Sequence, residues 1–247
     1  KNPIAIYSSD STGKGVLVLN ATRKCRLEYA MFSNLANLSE GGWSVPGAVN
    51  FYESEVDVVN CSFVNNRSED GLNIVRSPFT LSGCLFSGTQ SDAFDGDFVQ
   101  GTLTDCYFLN LGNDGIDVSG SVIEINKIYI DKAGDKGVSA GENSDISGST
   151  IVVKNSEIAV AAKDLSSVNL EMLTIDSCSI GFTAFQKKPE FGPADIIANK
   201  VLMTNFIRTC LNEKGSSVAI NGKEIEPTKD KVEEVLYGAQ FGKKTVK

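Results

Sequence analysis

No histidine occurs anywhere in the 247 residues. That absence removes histidine general bases and Ser-His-Asp catalysis. Zinc sites of the usual composition go with them, because the six cysteines include no Cys-x-x-Cys pair. Positive charge is in deficit, with 23 Lys and Arg against 31 Asp and Glu and a sequence pI near 4.7. A surface of that sign repels a phosphate backbone, so no nucleic-acid partner is expected, and cations or a cationic partner suit it better. Long apolar runs are missing too, so no membrane span is expected. The chain starts at Lys1 without a signal-peptide pattern, which suggests a processed protein or a piece of a larger chain.

What is present is a repeat. The segments Ser-Asp-Ala-Phe-Asp-Gly-Asp (91–97) and Asn-Asp-Gly-Ile-Asp-Val-Ser (113–119) superimpose with Asp92 over Asp114 and Asp95 over Asp117, a step of 22 residues. The same step connects Gly71, Ala93, Gly115, Gly137, Ala159 and Gly181, each followed by a large apolar residue. Periods of this size belong to solenoids. A second column runs through Cys61-Ser-Phe63, Cys84-Leu-Phe86, Cys106-Tyr-Phe108 and Ile128-Tyr-Ile130. Stacked buried thiols acting as small apolar residues suit that spacing, and a disulfide framework is the alternative.

Each copy holds short strands with period-two alternation, joined by turns without a helix. The expected fold is all-β: a single-stranded right-handed parallel β-helix of roughly seven to nine coils, about 22 residues each and capped at both ends. The small-residue column is expected to mark a tight corner with little room for a side chain. One domain is expected, with an N-terminal cap and first coils over 1–47, regular coils over 48–211 and a C-terminal cap over 212–247. In that cap, Asn221-Gly222 signals a hairpin. Thr228 is expected to cap a short helix over 229–237 that stops at Gly238, and hairpin and helix together would shield the solenoid end. Residues 34–46 form a longer loop with the only tryptophan, Trp43, suited to binding or to covering an end.

The segments 91–97, 112–121, 135–142 and 160–164, with the closing Leu-Tyr-Gly-Ala-Gln-Phe-Gly-Lys-Lys (236–244), resemble bacterial right-handed parallel β-helix repeat proteins of the pectin-lyase-like class. Some similar modules sit beside domains resembling the spore-coat CotH kinase in secreted or cell-surface chains. The resemblance implies the β-helix fold and an extracellular or cell-surface location. It also implies, for polysaccharide lyases of the class, a calcium ion that neutralises a uronate and a Lys or Arg that abstracts the proton α to it. The histidine of the polygalacturonase pattern has no counterpart here. Family fold does not confer family chemistry.

Alternation decides which residues can do chemistry. If Phe94 and Ile116 face the core, Asp95, Asp97 and Asp117 face outward, with Asp92 and Asp114 at the adjoining corner and Asp70 and Asn73 on the flanking coil. Unit charges 4 Å apart repel by about 1 kcal/mol in water and about 4 kcal/mol at an effective dielectric near 20, so the column requires compensation. Three forms stay open. Asp side chains at corners can accept backbone N–H groups. Calcium can be held by Asp92, Asp95, Asp97, Asp114 and Asp117. Asp95 and Asp117 can serve as the carboxylate pair of a glycoside hydrolase, with Lys136 as the base in a lyase reading. Lys163 and Lys187 descend the same side, as solvated counter-charges or, with Asp97, Asn73 and Trp43, as binding residues.

The function expected from these features is a noncatalytic extracellular or cell-surface module that binds carbohydrate or another surface polymer. The alternative is a calcium-assisted polysaccharide lyase or glycoside hydrolase acting on an acidic polysaccharide. A calcium site in the acidic column would raise the melting temperature on adding calcium and lower it with EDTA, because a ligand of the native state stabilises it.

Overall fold

The computed structural model describes residues 3–228 and 231–237. Period-two alternation places one side chain of each pair inside, and parallel pairing at the 22-residue step stacks like on like. A nine-stranded parallel sheet results, which includes Gly47–Tyr52, Asp70–Val75, Asp92–Asp97, Ile116–Ser119, Lys136–Gly141, Ile158–Lys163 and Ile180–Phe185 in that order. A fifteen-stranded sheet forms the other sides of each coil, and the 12-residue strands Gln100–Leu111 and Val122–Ala133 bend through both of its halves. The chain is a parallel β-solenoid of about ten turns, slightly more than expected.

Three bends per coil close the turn, each at a residue in the left-handed region. One column is Asn60, Gly83, Asp105, Lys127, Thr150 and Met172, with φ between 51° and 64°. A second is Asn65, Gly88, Asn110, Lys132, Asn155 and Ser177; a third includes Glu53, Arg76, Phe98 and Gly120. The small-residue column is different. None of its members has a positive φ. A Cβ added at Gly71, Gly115 or Gly137 would meet the carbonyl oxygen of the following coil at 2.8, 2.6 and 2.7 Å. Its lack of space comes from the neighbouring coil, and the bending itself is done elsewhere.

Inside, columns become ladders. Phe32, Phe63, Phe86 and Phe108 stack with centroids 5.5, 4.7 and 4.9 Å apart, and Ile130, Val153 and Ile175 continue the column in register. All six cysteines are free, with Cys61, Cys84, Cys106 and Cys178 buried, so the thiols act as core residues. A serine ladder adds polar stitching: the backbone N–H groups of Ser54, Val99, Ser121 and Ser144 donate to the hydroxyls of Ser77, Ser121, Ser144 and Ser166 at 2.8–3.1 Å.

The ends depart from expectation. At the N-terminal end, Ile4–Tyr7 and Val16–Leu19 each pair on one side only, and Ile4, Tyr7 and Leu19 are exposed, so no cap covers them among the described residues. At the other end, Ser217–Ile220 extends the large sheet and turns through Asn221 and Gly222, both at positive φ, into Lys223–Glu224. That hairpin was legible. The helix spans Val232–Tyr237 and does not start from Thr228, whose hydroxyl donates instead to the Asn212 carbonyl at 2.9 Å. Nor does it plug the end. Val232 and Leu236 pack with Ile158, Ala161, Ile180, Phe185 and Leu211, because the outer side of the nine-stranded sheet is apolar there and needs cover. Gly238 and most of the closing motif 236–244 lie outside the described residues.

Two substitutions test this account. Phe86→Ala should cost about 3–5 kcal/mol by opening a cavity in the ladder, read as a lower urea midpoint. Thr150→Asn should stabilise by about 1 kcal/mol, because a β-branched residue at φ 62° is strained and asparagine tolerates that region.

Candidate functional site

The outer face of the nine-stranded sheet carries one column in register: Asn50, Asn73, Asp95, Asp117, Ser139, Ala161 and Thr183. Asp70 and Asp92 pair at the strand starts, and Asp97 pairs with Val75 and Ser119 further along. The acids predicted from the repeat are neighbours, as expected, but they do not behave alike.

Corner hydrogen bonding accounts for some of them. Asp92 Oδ1 accepts from Asn113 Nδ2 and the Asp114 backbone N–H, both at 2.7 Å. Asp114 Oδ1 accepts the Lys136 backbone N–H at 2.8 Å, and Asp164 Oδ1 accepts those of Lys187 and Lys188 at 2.7 Å. Burial, followed by the charge of Asp114, nevertheless pushes Asp92 up to about 7. Burial raises Asp114 to about 6 against the opposing pull of Lys136.

Lys136 and Lys163 are buried, which corrects the expectation of solvated counter-charges for them, while Lys187 is exposed. Lys136 is 4% exposed, with Nζ 2.6 Å from Asp135 Oδ2 and 3.5 Å from Asp114 Oδ2. Burial pushes its pKa down, but the carboxylates of Asp114 and Asp135 outweigh this and hold the ammonium above the usual lysine range. A lysine held protonated between carboxylates cannot abstract a proton, so the geometry argues against Lys136 as a lyase base. Lys163 is buried as well, 3.8 Å from Asp117 Oδ1, and its pKa is likewise raised despite burial, chiefly by Asp117. Lys187, 5.2 Å from the Tyr237 ring, is pushed down by burial and by Lys163 and Lys136. All three lie near Tyr237 of the C-terminal helix and compensate the lower part of the column.

The upper part lacks that compensation and borders an open recess of about 450 Å³, lined by Asn37, Ser44, Val45, Pro46, Glu69, Asp70, Asp95 and Asp97. One wall is the loop anticipated at 34–46. Ser39–Glu40 and Trp43–Ser44 pair in it as a tiny hairpin, turned by Gly41 and Gly42 at φ 58° and 82°. Its return is anchored where the Val45 N–H donates to Leu38 O at 3.0 Å and the Asp70 N–H to Pro46 O at 3.3 Å. Buried Asn66 holds its base by accepting the Leu35 N–H at 3.0 Å and donating to Phe32 O at 3.3 Å. Trp43 is 49% exposed and lies outside the lining, so the loop contributes Asn37, Ser44, Val45 and Pro46.

On the floor, Asp70 is 2% exposed and its Oδ2 has no hydrogen-bond partner. Asn73 donates from Nδ2 to Asp95 Oδ2 at 2.8 Å, while its buried Oδ1 is unpartnered. Burial first, and neighbouring carboxylates after it, raise Asp70 and Asp95 well above the usual carboxylate range and raise Asp97 as well. Among the described residues no three acidic or cysteine side chains converge as a metal site would require. The five-carboxylate calcium cluster therefore separates: Asp95 and Asp97 face the recess, Asp92 and Asp114 bind backbone, and Asp117 faces Lys163. The repeat arithmetic found Asp95 and Asp97 but treated Asp70 as a flank, and it missed Asn37, Ser44, Val45, Pro46 and Glu69. Departure of the loop from the repeat was the only signal for the four loop residues, and Glu69 had none beyond its place beside Asp70.

No family model matches this chain, and no curated protein matches it. Among solved structures it is similar to the catalytic domain of a GH87 α-1,3-glucanase in complex with nigerose, at 11% identity and a TM-score of 0.41, over 88% of this chain and 58% of that one. It is also similar to tailspike protein 3 of bacteriophage CBA120, at 11% identity and a TM-score of 0.40, over 92% and 52% of the two chains. Tailspike protein 2 from an Escherichia coli O157:H7 bacteriophage gives 11%, 0.38, 89% and 42%. The chain thus spans between 42% and 58% of the length of these proteins. At such values the likeness carries no functional inference, and the fold rests on the strand register above.

The buried acids set a pH dependence. A carboxyl whose folded pKa lies above its unfolded value stabilises the fold at low pH, and the gain is lost as pH rises through the folded value, about 7 for Asp92. Asp92→Asn keeps the Oδ1 acceptor and removes the charge. It should stabilise by on the order of 2 kcal/mol at pH ~8 and by much less at pH ~5, measured by urea unfolding at both.

Proposed function

We propose that the chain is a noncatalytic extracellular or cell-surface β-helix module that binds carbohydrate in the recess between the 34–46 loop and the acidic strands. The observation that carries this reading is the recess itself: about 450 Å³, open to solvent, with hydrogen-bonding side chains on both walls. That volume falls in the range of small-molecule sites, and a rigid scaffold with one loop raised above it is a common way to present a binding surface. Ser44 and Asn37 on one side, and the carboxyl groups of Asp70, Asp95 and Asp97 on the other, suit the hydroxyls of a sugar.

The enzymatic alternative has less support. A retaining glycoside hydrolase needs two carboxyls about 5 Å apart flanking one bond. Asp95 and Asp117 are adjacent in register, yet Asp117 is directed to Lys163 and does not line the recess. A lyase acting on uronates would bring a carboxylate against Glu69, Asp70, Asp95 and Asp97, and its base would have to be a lysine that is held protonated.

A glycan array read with the intact chain should give binding that shortening of residues 39–44 weakens by about tenfold or more, roughly 1.4 kcal/mol. Release of reducing or unsaturated ends from any bound polysaccharide, abolished by Asp95→Ala, would overturn the noncatalytic reading.

A further inference from the structure

We infer that the recess selects a sugar carrying a free ammonium group over neutral and uronate-bearing sugars. This rests on the carbohydrate reading above and deepens it by naming the ligand class.

The lining is one-sided. Four carboxyl side chains, Glu69, Asp70, Asp95 and Asp97, border the recess, and no lysine or arginine does among the described residues. The cations nearby are engaged elsewhere: Lys188 with Glu142, Arg76 with Glu53 at 3.8 Å, and Lys163 with Asp117 at 3.8 Å. Arg76 and Lys188 act on Asp97 from a distance, which leaves Asp70 and Asp95 as the acids with no cation close by among the described residues.

An acidic cluster alone would be unremarkable in this column, but Asp70 adds an independent observation. Its carboxyl is 2% exposed, lines the recess and has Oδ2 without a donor. Buried acceptors are normally satisfied, and leaving one unmet costs about 1–3 kcal/mol. Asn73, whose Oδ1 is also unmet, spends its amide N–H on Asp95, so no donor meets Asp70 Oδ2 among the described residues. A ligand with an N–H or O–H donor directed at the recess floor would bring one.

Size and spacing decide the kind of donor. A bare metal ion needs several oxygens closing on one point, and no such convergence of three acids occurs among the described residues. A recess of about 450 Å³ holds a far larger group. An ammonium on a sugar ring offers three donors that can span separated acceptors, while the ring hydroxyls meet Asn37 and Ser44. It also brings positive charge to carboxyls whose pKa values burial raises, so its binding should pull those values down and release protons.

The test is titration calorimetry of the intact chain at mildly acidic pH, where a sugar amine is protonated. The probes are a glucosamine oligomer, the matching N-acetylglucosamine oligomer, an oligogalacturonate, a lysine oligomer and calcium chloride alone. The glucosamine oligomer should bind about tenfold or more tightly than the N-acetylated one, weaken with salt, and show protons released when buffers of different ionisation heat are compared. Asp70→Asn should weaken it by a similar factor, and the partly exposed Asp97→Asn, which leaves the buried carboxyl intact, should weaken it less. Preference for the neutral or uronate oligomer, or no effect of either variant, overturns the ammonium assignment while leaving a carbohydrate site. Equal binding of the lysine oligomer, or competition by calcium, also overturns it. Absence of binding by every glycan overturns the carbohydrate reading as well.

Discussion

Each carboxylate on the outer face of the nine-stranded sheet stands beside the equivalent position of the next coil, because parallel strands hold their neighbours at about 4.8 Å. That spacing benefits the interior, where Phe63, Phe86 and Phe108 stack ring on ring. Outside, the same spacing sets Asp70 against Asp92 and Asp95 against Asp117. A solenoid cannot repeat an acid without repeating its repulsion, so the distribution of compensation along the column decides what each acid can do.

The acids along the sheet fall into three situations. Asp92 and Asp114 accept backbone N–H groups from the following coil. Asp114 and Asp117 meet buried lysines, Lys136 and Lys163. Asp70 and Asp95 have neither, and burial raises their pKa values instead. The helix Val232–Tyr237 covers the apolar and cationic part of this face, and the 34–46 loop rises beside the acidic part. The recess lies where cations are absent among the described residues, and that coincidence supports reading it as a place for a ligand.

Much of the fold was legible because its determinants are local and periodic. The 22-residue step between Asp95 and Asp117, the cysteine and phenylalanine columns and the Asn221-Gly222 turn each reflect alternation or φ preference over a few residues. The left-handed bends were less legible. Asn60 and Asn110 suit them, but Lys127, Thr150 and Met172 adopt the same φ because stacking on the coils to either side imposes it. The helix was placed in the right region yet with the wrong start and the wrong contact, since its docking surface is built from Ile158, Phe185 and Leu211, far away in sequence.

The candidate site divides the same way. The sequence by itself determined which residue types share a column, since the period and the alternation leave Asp95, Asp97 and Asp117 no face but the outer one. Only the tertiary structure decided that Lys136 and Lys163 are buried ion-pair partners, that Asp117 belongs with Lys163, and that Asp70 retains an unpaired oxygen beneath a loop beginning some thirty residues earlier. The physical reason is that column membership follows from spacing along the chain. Protonation and hydrogen-bond satisfaction depend on burial and on which charges lie within a few ångströms, and here those neighbours come from other coils, a loop and the helix.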